Sequence, residues 1–232
     1  LFKSILGINP IDEGNIQIPD KQDIGVVLSE TGFSEFFTVS DIISILKCTY
    51  KRFDEDLFHS YCQRFNIPLD KKVRTFSTGM KAKLNIIIAL THHAQLLILD
   101  EPTAGLDVLT RDEILDILRD YMEQEDCTIL ISSHISSDLE SLCDDLYVID
   151  HGQIIMHEEM DTLLSQYGVL KVSKEDYENL DKDYLLEVMK EPFGYSCLTN
   201  ERQFYSENYP TIVIEQNHID TMIPVLLKGE RL

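Results

Sequence analysis

The sequence predicts an α/β fold in which parallel strands alternate with helices, and three observations support this. Residues 96–99 are four apolar residues without a polar interruption, as in a strand buried on both faces of a parallel sheet. Runs at 24–28 and 128–131 are rich in the β-branched residues that strands favour. Apolar residues between these runs recur at helical spacing, as at Leu84 and Ile88.

Two carboxylates, Asp100 and Glu101, directly follow the predicted central strand. In an open α/β sheet, ligands bind at the edge formed by the carboxyl ends of the strands. An acidic pair at that edge suits a hydrated Mg²⁺ ion and a base for an attacking water. Taken alone, the run leaves two interpretations open, a chemical site and a structural strand that ends in acids by chance.

The composition limits the possible partners. At 232 residues the chain can bury a sizeable core, in one large domain or somewhat more. A formal net charge of -21 disfavours nucleic acid and anionic lipid as partners. The longest mainly apolar run, at 84–90 with Asn85 as its polar residue, is far too short to span a bilayer, so no direct membrane insertion is expected. The five cysteines are scattered, as in a protein with reduced thiols.

Local signals predict the elements before the central strand. Residues 1–7 have the pattern of a helix tail closed by Gly7. Thr38 and Asp41 have capping-box spacing, and an apolar stripe at 57–65 predicts a further helix. Three phenylalanines are expected to pack in the core, although a role in docking stays open: Phe33, Phe36 and Phe37.

A helix is predicted to begin near Gly79, just after Ser77 and Thr78. The free N–H groups and the positive dipole end of a helix start form a site for anions. A second interpretation is that Ser77 simply caps the helix. The two roles are compatible.

The elements after the central strand follow from similar patterns. A helix is predicted at 114–122, and the strand at 128–131 leads to His134. Ser137 and Glu140 are expected to cap another helix, and residues 146–155 to form a hairpin. Beyond Met160 a small α/β appendage is predicted, with strands at 169–172, 185–188 and 211–215 and a closing helix at 219–228.

Four of these motifs, in their order and spacing, resemble the nucleotide-binding domain of an ABC transporter. Residues 77–80 resemble the signature motif, residues 96–101 the Walker B motif, residues 104–107 the D-loop and His134 the switch histidine. The resemblance extends from about residue 1 to 157 and fades beyond. It implies a P-loop NTPase (RecA-like) ABC ATPase core with a helical subdomain and a small C-terminal α/β appendage.

In that family a Gly-rich loop ending in Gly-Lys-Ser/Thr, the Walker A motif, holds the nucleotide phosphates. No such sequence occurs here, so the ATPase core is expected to lack its N-terminal part and this chain to bind ATP weakly or not at all. The resemblance implies four parts: a truncated core at 1–30, a helical subdomain at 31–75, the main core at 76–158 and an accessory domain at 159–232.

The resemblance also implies roles for individual residues, with ATP and Mg²⁺ as cofactors. Asp100 is expected to hold Mg²⁺ through water, and Glu101 to orient or deprotonate the attacking water. Ser77, Gly79 and His134 are expected to stabilise the transferring phosphoryl group.

The remaining expected contacts are less direct. Thr78 would lie near the nucleotide, and Asp107 would contact a second subunit. Ser29 stands where the family places a glutamine that touches Mg²⁺, and neighbouring Glu30 is a candidate to share that role.

The expected function is that of an ATP-binding subunit that hydrolyses ATP to drive a separate membrane permease in export. Its partners would be that permease and a second ATPase subunit, identical or closely paralogous, and it would lie in the cytoplasm at the inner face of the cell membrane. The alternatives are a soluble ABC ATPase without a transport role and a non-hydrolytic interaction module. The acidic net charge of the chain argues against the soluble ABC ATPase, whose nucleic-acid or ribosome partners need a basic surface. The presence of Asp100, Glu101 and His134 argues against the non-hydrolytic module.

Overall fold

The computed structural model describes residues 1–28, 32–124, 126–215 and 218–231. The chain forms two compact units, Leu1–His134 and Ile135–Leu232. The four-part division expected above, with boundaries after residues 30, 75 and 158, stays a prediction. Across the described ranges, no helix combines the length and the apolar character needed to cross a membrane.

The first unit contains a parallel sheet with the strand order β1-β2-β3. Its elements are α1 (Phe2–Ile5), β1 (Ile24–Val27), α2 (Val39–Thr49), α3 (Glu55–Arg64), α4 (Thr78–Leu90), β2 (Leu96–Asp100), α5 (Val108–Met122) and β3 (Thr128–Ser132). The predicted strands and helices of this unit are confirmed. Short 3₁₀ turns at Lys21–Asp23 and Val73–Thr75 precede β1 and α4.

The central strand β2 is fully buried along its middle three residues. Leu97, Ile98 and Leu99 have no exposed surface, which confirms the prediction of a strand buried on both faces. Helix α4 packs against β1 at Gly25, where an added Cβ would collide with the carbonyl oxygen of Ala89 and the Leu97 side chain. Only glycine allows this close approach of helix to strand.

The region between β1 and α4 shows one correct and one wrong prediction. The capping box at the start of α2 is confirmed, because Thr38 and Asp41 each accept a hydrogen bond from the other's backbone N–H. The expected core packing of the phenylalanines is wrong for two of them, since Phe36 and Phe37 are 67% and 37% exposed. Both lie in a loop with a turn at residues 34–37 that pairs with residues 72–74 through backbone hydrogen bonds, which leaves their rings outside the core.

His92 is a buried histidine at the end of α4. Its side chain is 1% exposed, with Nε2 3.1 Å from the Ile24 carbonyl oxygen and Nδ1 3.3 Å from that of Ile88. Burial lowers the His92 pKa below 6.5, and the two backbone contacts only partly oppose this shift.

Stability is therefore expected to fall on acidification, in part through His92. Because the folded state binds this proton less readily than the unfolded state, the contribution is complete above the unfolded pKa of 6.5 and is lost as the pH falls through the lower folded pKa. Urea unfolding at pH 7.5 and at pH 5 checks this for the wild type and for His92→Gln. The variant should lose less stability between the two pH values. An equal loss in both proteins would contradict the prediction.

The second unit combines a hairpin with a five-stranded antiparallel sheet. Its elements are α6 (Ser136–Leu142), β4 (Asp145–Asp150), β5 (Gln153–Glu159), α7 (Met160–Gln166), β6 (Gly168–Val172), α8 (Lys174–Asn179), β7 (Leu185–Glu191), β8 (Gly194–Thr199), α9 (Arg202–Asn208), β9 (Val213–Glu215), α10 (Ile219–Lys228) and β10 (Glu230–Arg231). The predicted hairpin, appendage strands and closing helix are confirmed. The sheet order is β10-β7-β8-β6-β9, and β6 to β9 with α8 and α9 form the βαββαβ pattern of ferredoxin-like folds.

The predicted cap of α6 is wrong. The helix begins two residues earlier than expected, with Ile135 and not Ser137 at the N-cap and no side-chain cap. Glu140 instead accepts a hydrogen bond from the backbone N–H of Ile219 at 2.7 Å, within the second unit. A tertiary contact thus replaces the local one.

Candidate functional site

Asp100 ends the central strand β2 at the carboxyl edge of the parallel sheet. In the strand register it lies opposite Ser132, the last residue of β3. The Ser132 hydroxyl donates a hydrogen bond of 2.8 Å to Asp100 Oδ1. Within the described part of the chain, no hydrogen bond or ion pair engages the other oxygen, Oδ2, which remains available to a ligand.

Glu101 turns the chain sharply where the strand ends. Its φ of 52° lies in the left-handed region, which costs a residue with a side chain on the order of 1–3 kcal/mol and is found mostly at functional sites. Its backbone N–H lies 3.1 Å from the carbonyl oxygen of Ser132 and 3.2 Å from the Ser132 hydroxyl. These contacts hold the unusual turn in place.

The Glu101 carboxylate reaches the loop after β3. Its Oε2 lies 2.6 Å from Nδ1 of His134 and accepts a second hydrogen bond of 3.2 Å from the His134 backbone N–H. The Glu101 side chain is 32% exposed and that of His134 is 67% exposed. A carboxylate and an imidazole therefore meet at an open edge of the sheet, where both can reach a ligand.

The start of α4 forms a second group of predicted site residues. Ser77 is the N-cap, and its hydroxyl accepts a hydrogen bond of 3.2 Å from the backbone N–H of Met80, which confirms its capping role. Ser77 and Thr78 are exposed. The first N–H groups of a helix have no partners within it, so this exposed end is suited to an anion.

Gly79 brings the start of α4 close to the start of α5. An added Cβ at Gly79 would lie 2.9 Å from Cγ2 and 3.2 Å from Oγ1 of Thr110. Thr110 in turn donates to Asp107, the exposed N-cap of α5, from its backbone N–H at 3.0 Å and its hydroxyl at 2.9 Å. These bonds, the backbone one first, lower the pKa of Asp107 below 3.8, so the group is a carboxylate at neutral pH.

The structure thus brings the predicted residues together in two groups. Asp100, Glu101 and His134 lie together at the sheet edge, and Ser77, Thr78, Gly79 and Asp107 at two neighbouring helix starts. The bonds that define the first group involve no residue of the second. Ser29 and Glu30 lie outside the described residues.

Two residues that contact members of these groups had no role predicted from the sequence, Ser132 and Thr110. Ser132 was visible only as part of the Ser132-Ser133-His134 run. Its contact with Asp100 depends on the pairing of β2 with β3, and the Thr110 contact depends on helix packing. Aligning the predicted strand at 128–131 with the predicted strand at 96–99 would have placed Ser132 opposite Asp100. No local sequence pattern indicates the contact of Thr110.

The donor groups fit the implied cofactors in part. Mg²⁺ prefers oxygen ligands and keeps several of its waters, and the available Oδ2 of Asp100 suits such a water-mediated contact. The exposed start of α4 suits a phosphate group. A set of three or more His, Cys, Asp or Glu side chains able to hold a metal does not occur among the described residues.

Comparisons with known proteins give a consistent result. The sequence profile of the family described as ABC transporter matches residues 1–104. The ABC transporter ATP-binding protein YtrB of Bacillus subtilis (strain 168) is 29% identical over 160 residues, which cover 69% of this chain and 55% of YtrB. The linearmycin resistance ATP-binding protein LnrL of the same organism is 32% identical over 182 residues, which cover 71% of this chain and 57% of LnrL. The chain therefore spans just over half the length of these two relatives.

A solved structure agrees at the level of the fold. The structure of the ATP-binding subunit of an ABC transporter matches with a TM-score of 0.63 at 23% identity, over 71% of this chain and 75% of the other. At this identity the likeness concerns the fold alone. It confirms the α/β fold class predicted from the sequence.

Proposed function

Because the chain belongs to the ABC transporter ATP-binding family and has its P-loop NTPase fold, we propose that it is the ATP-binding subunit of an exporter. ATP hydrolysis drives a separate integral membrane permease, which holds the subunit at the inner, cytoplasmic face of the cell membrane. Two ATPase subunits, identical or closely paralogous, act together. The linearmycin resistance after which LnrL is named supports the export direction.

The observation that carries this proposal is the acidic group at the sheet edge. Asp100, Glu101 and His134 lie at the ends of two parallel strands. Glu101 contacts His134 at 2.6 and 3.2 Å. The Ser132 hydroxyl links Asp100 to the Glu101 backbone N–H through hydrogen bonds of 2.8 and 3.2 Å. A general base must lie within hydrogen-bond reach of the proton that it takes, and Glu101 lies at the open edge where a water can approach. A purely structural strand end would not need an exposed carboxylate–imidazole pair.

The residues divide the work of phosphoryl transfer among them. Mg²⁺, when bound, neutralises charge on the phosphates. Asp100 offers Oδ2 to the waters of that ion, and Glu101 orients and deprotonates the attacking water. His134 holds the Glu101 carboxylate through its ring and backbone N–H groups, and its exposed ring is available to the transferring phosphoryl group.

The second group serves the nucleotide of the other subunit. Ser77, Thr78 and Gly79 present the exposed start of α4, a helix of 13 residues, to the γ-phosphate held there. Asp107 lies beside this helix start through Thr110 and contacts the other subunit, which couples hydrolysis to closure of the pair.

An ATPase assay tests the proposal. This chain and the full-length protein that contains it are assayed side by side with Mg-ATP. Hydrolysis by the full-length protein, which rises when the permease is added in vesicles, is the expected result, and this chain alone is expected to be much less active. Tight ATP binding without hydrolysis in the full-length protein would support the non-hydrolytic interaction module instead. Hydrolysis that no permease stimulates would support the soluble ATPase.

A pair of substitutions at Ser77 separates capping from phosphate binding. Aspartate caps a helix about as well as serine, so Ser77→Asp should leave the unfolding free energy within about 0.5 kcal/mol of the wild type. Its negative charge would face the phosphate, so ATP turnover should fall by more than about tenfold. Ser77→Ala should instead cost about 1 kcal/mol of stability through the lost cap. Urea unfolding and steady-state ATPase assays check both, and normal turnover in Ser77→Asp would leave Ser77 as a cap only.

A further inference from the structure

We propose that Ser132 is a positioning residue for ATP hydrolysis, which clamps Asp100 and Glu101 in their working orientations from the neighbouring strand. The inference rests on the proposed function and deepens it. Ser132 ends β3 opposite Asp100 in the register, so one residue adjoins both acids. It has no expected contact with the nucleotide and acts through the Asp100 carboxylate and the Glu101 backbone.

The Ser132 hydroxyl has a role towards each acid. It donates a hydrogen bond of 2.8 Å to Asp100 Oδ1 and accepts one of 3.2 Å from the backbone N–H of Glu101. The Ser132 carbonyl oxygen accepts from the same Glu101 N–H at 3.1 Å. A hydroxyl can donate and accept at once, whereas alanine can do neither. The side chain is partly buried, so water does not readily replace it.

Towards Asp100, the clamp selects one carboxylate orientation. With Oδ1 held by the hydroxyl, rotation about the side chain is restricted and Oδ2 is the oxygen left for the waters of Mg²⁺. Without the hydroxyl, the carboxylate would sample other rotamers, and the population in the productive orientation would fall.

Towards Glu101, the clamp holds the left-handed turn. Glu101 has a φ of 52°, and this conformation turns its side chain back to His134, 2.6 Å away. A bond from the Glu101 N–H to two oxygens of Ser132 stabilises the turn against relaxation to an ordinary backbone conformation. Loss of one of the two oxygens should loosen the placement of the general base without removing it.

Three variants of the full-length protein test the clamp. Ser132→Ala removes the hydroxyl, and Ser132→Thr restores it with one added methyl group. Thr128→Ala is the matched control, because Thr128 begins the same strand, is exposed and also loses a hydroxyl. All three variants are first compared by urea unfolding, so that any effect on activity is separated from a loss of folding.

Two readouts are measured on each variant. Amide hydrogen exchange of Glu101 reports the bond to Ser132 and needs no nucleotide. The kcat and KM for Mg-ATP report the reaction. In Ser132→Ala, the Glu101 amide should exchange faster by about tenfold and kcat should fall by about tenfold, with KM within about twofold of the wild type. Ser132→Thr should recover most of both, and Thr128→Ala should match the wild type.

The outcomes separate this inference from the proposed function. If the full-length wild type hydrolyses ATP but Ser132→Ala keeps its kcat and its Glu101 exchange rate, the clamp is wrong and the function stands. If the full-length wild type does not hydrolyse ATP, the proposed function is wrong. The positioning role in hydrolysis is then wrong as well, even if the exchange data show the hydrogen bond between Ser132 and the Glu101 N–H. A loss of kcat that Ser132→Thr does not recover, or that Thr128→Ala shares, would point to a general effect on folding and overturn the positioning role.

Discussion

Glu101→Gln is expected to slow ATP hydrolysis by the full-length protein by about a hundredfold or more, the usual contribution of a general base. The amide keeps the size of the carboxylate but cannot take a proton from water. ATP binding should stay normal, since Glu101 acts on the water and not on the nucleotide. The ATP-bound pair of subunits should therefore accumulate. Steady-state turnover, equilibrium ATP binding and size-exclusion chromatography with ATP measure the three effects.

A matched substitution controls for the loss of one negative charge. Glu123→Gln removes a carboxylate from an exposed position at the end of α5, away from the sheet edge, and should leave turnover unchanged. Wild-type turnover in Glu101→Gln would remove Glu101 from its proposed role. Equal losses in both variants would indicate that overall charge matters more than position.

Leu97→Ala is expected to destabilise the first unit by about 3 kcal/mol, a typical cost for emptying a buried leucine site. Leu97 has no exposed surface and lies in β2, between β1 and β3. Its side chain packs close to Gly25, so neighbouring groups have little freedom to fill the cavity. Urea unfolding followed by circular dichroism measures the loss.

The neighbouring residue provides the comparison. Leu96 begins the same strand and is only partly buried, so Leu96→Ala should cost clearly less than Leu97→Ala. Equal costs at the two positions would contradict the picture of a strand that is buried along its centre and more open at its start.

Much of the fold and of the candidate site could be predicted from local patterns. The apolar run at 96–99 predicted a buried strand because a strand at the centre of a parallel sheet is covered on both faces and so carries apolar residues at successive positions. The caps at Thr38 and Ser77 depend on residues three positions apart, which the sequence displays directly. The same is true of the acids at the end of β2.

Other features depend on residues that are distant along the chain. Ser132 meets Asp100 across 32 positions and His134 meets Glu101 across 33. Phe36 was expected in the core because aromatic residues are usually buried, but its loop pairs edge-on with residues 72–74 and the ring stays outside. The strand β8 was missed because its pattern is weak without its partners β6 and β7.

The difference between the features that the sequence predicted and those that only the structure showed has a physical basis. Side-chain periodicity, helix caps and turn residues act over a few positions. The sequence alone therefore predicted the order of strands and helices, the acids Asp100 and Glu101 at the end of a strand, and the start of α4. Strand register and helix packing depend on the sum of many weak contacts between distant segments, which no local pattern contains. Folding in three dimensions was needed to place Ser132 beside both acids, the His134 ring on Glu101 and Thr110 against Gly79.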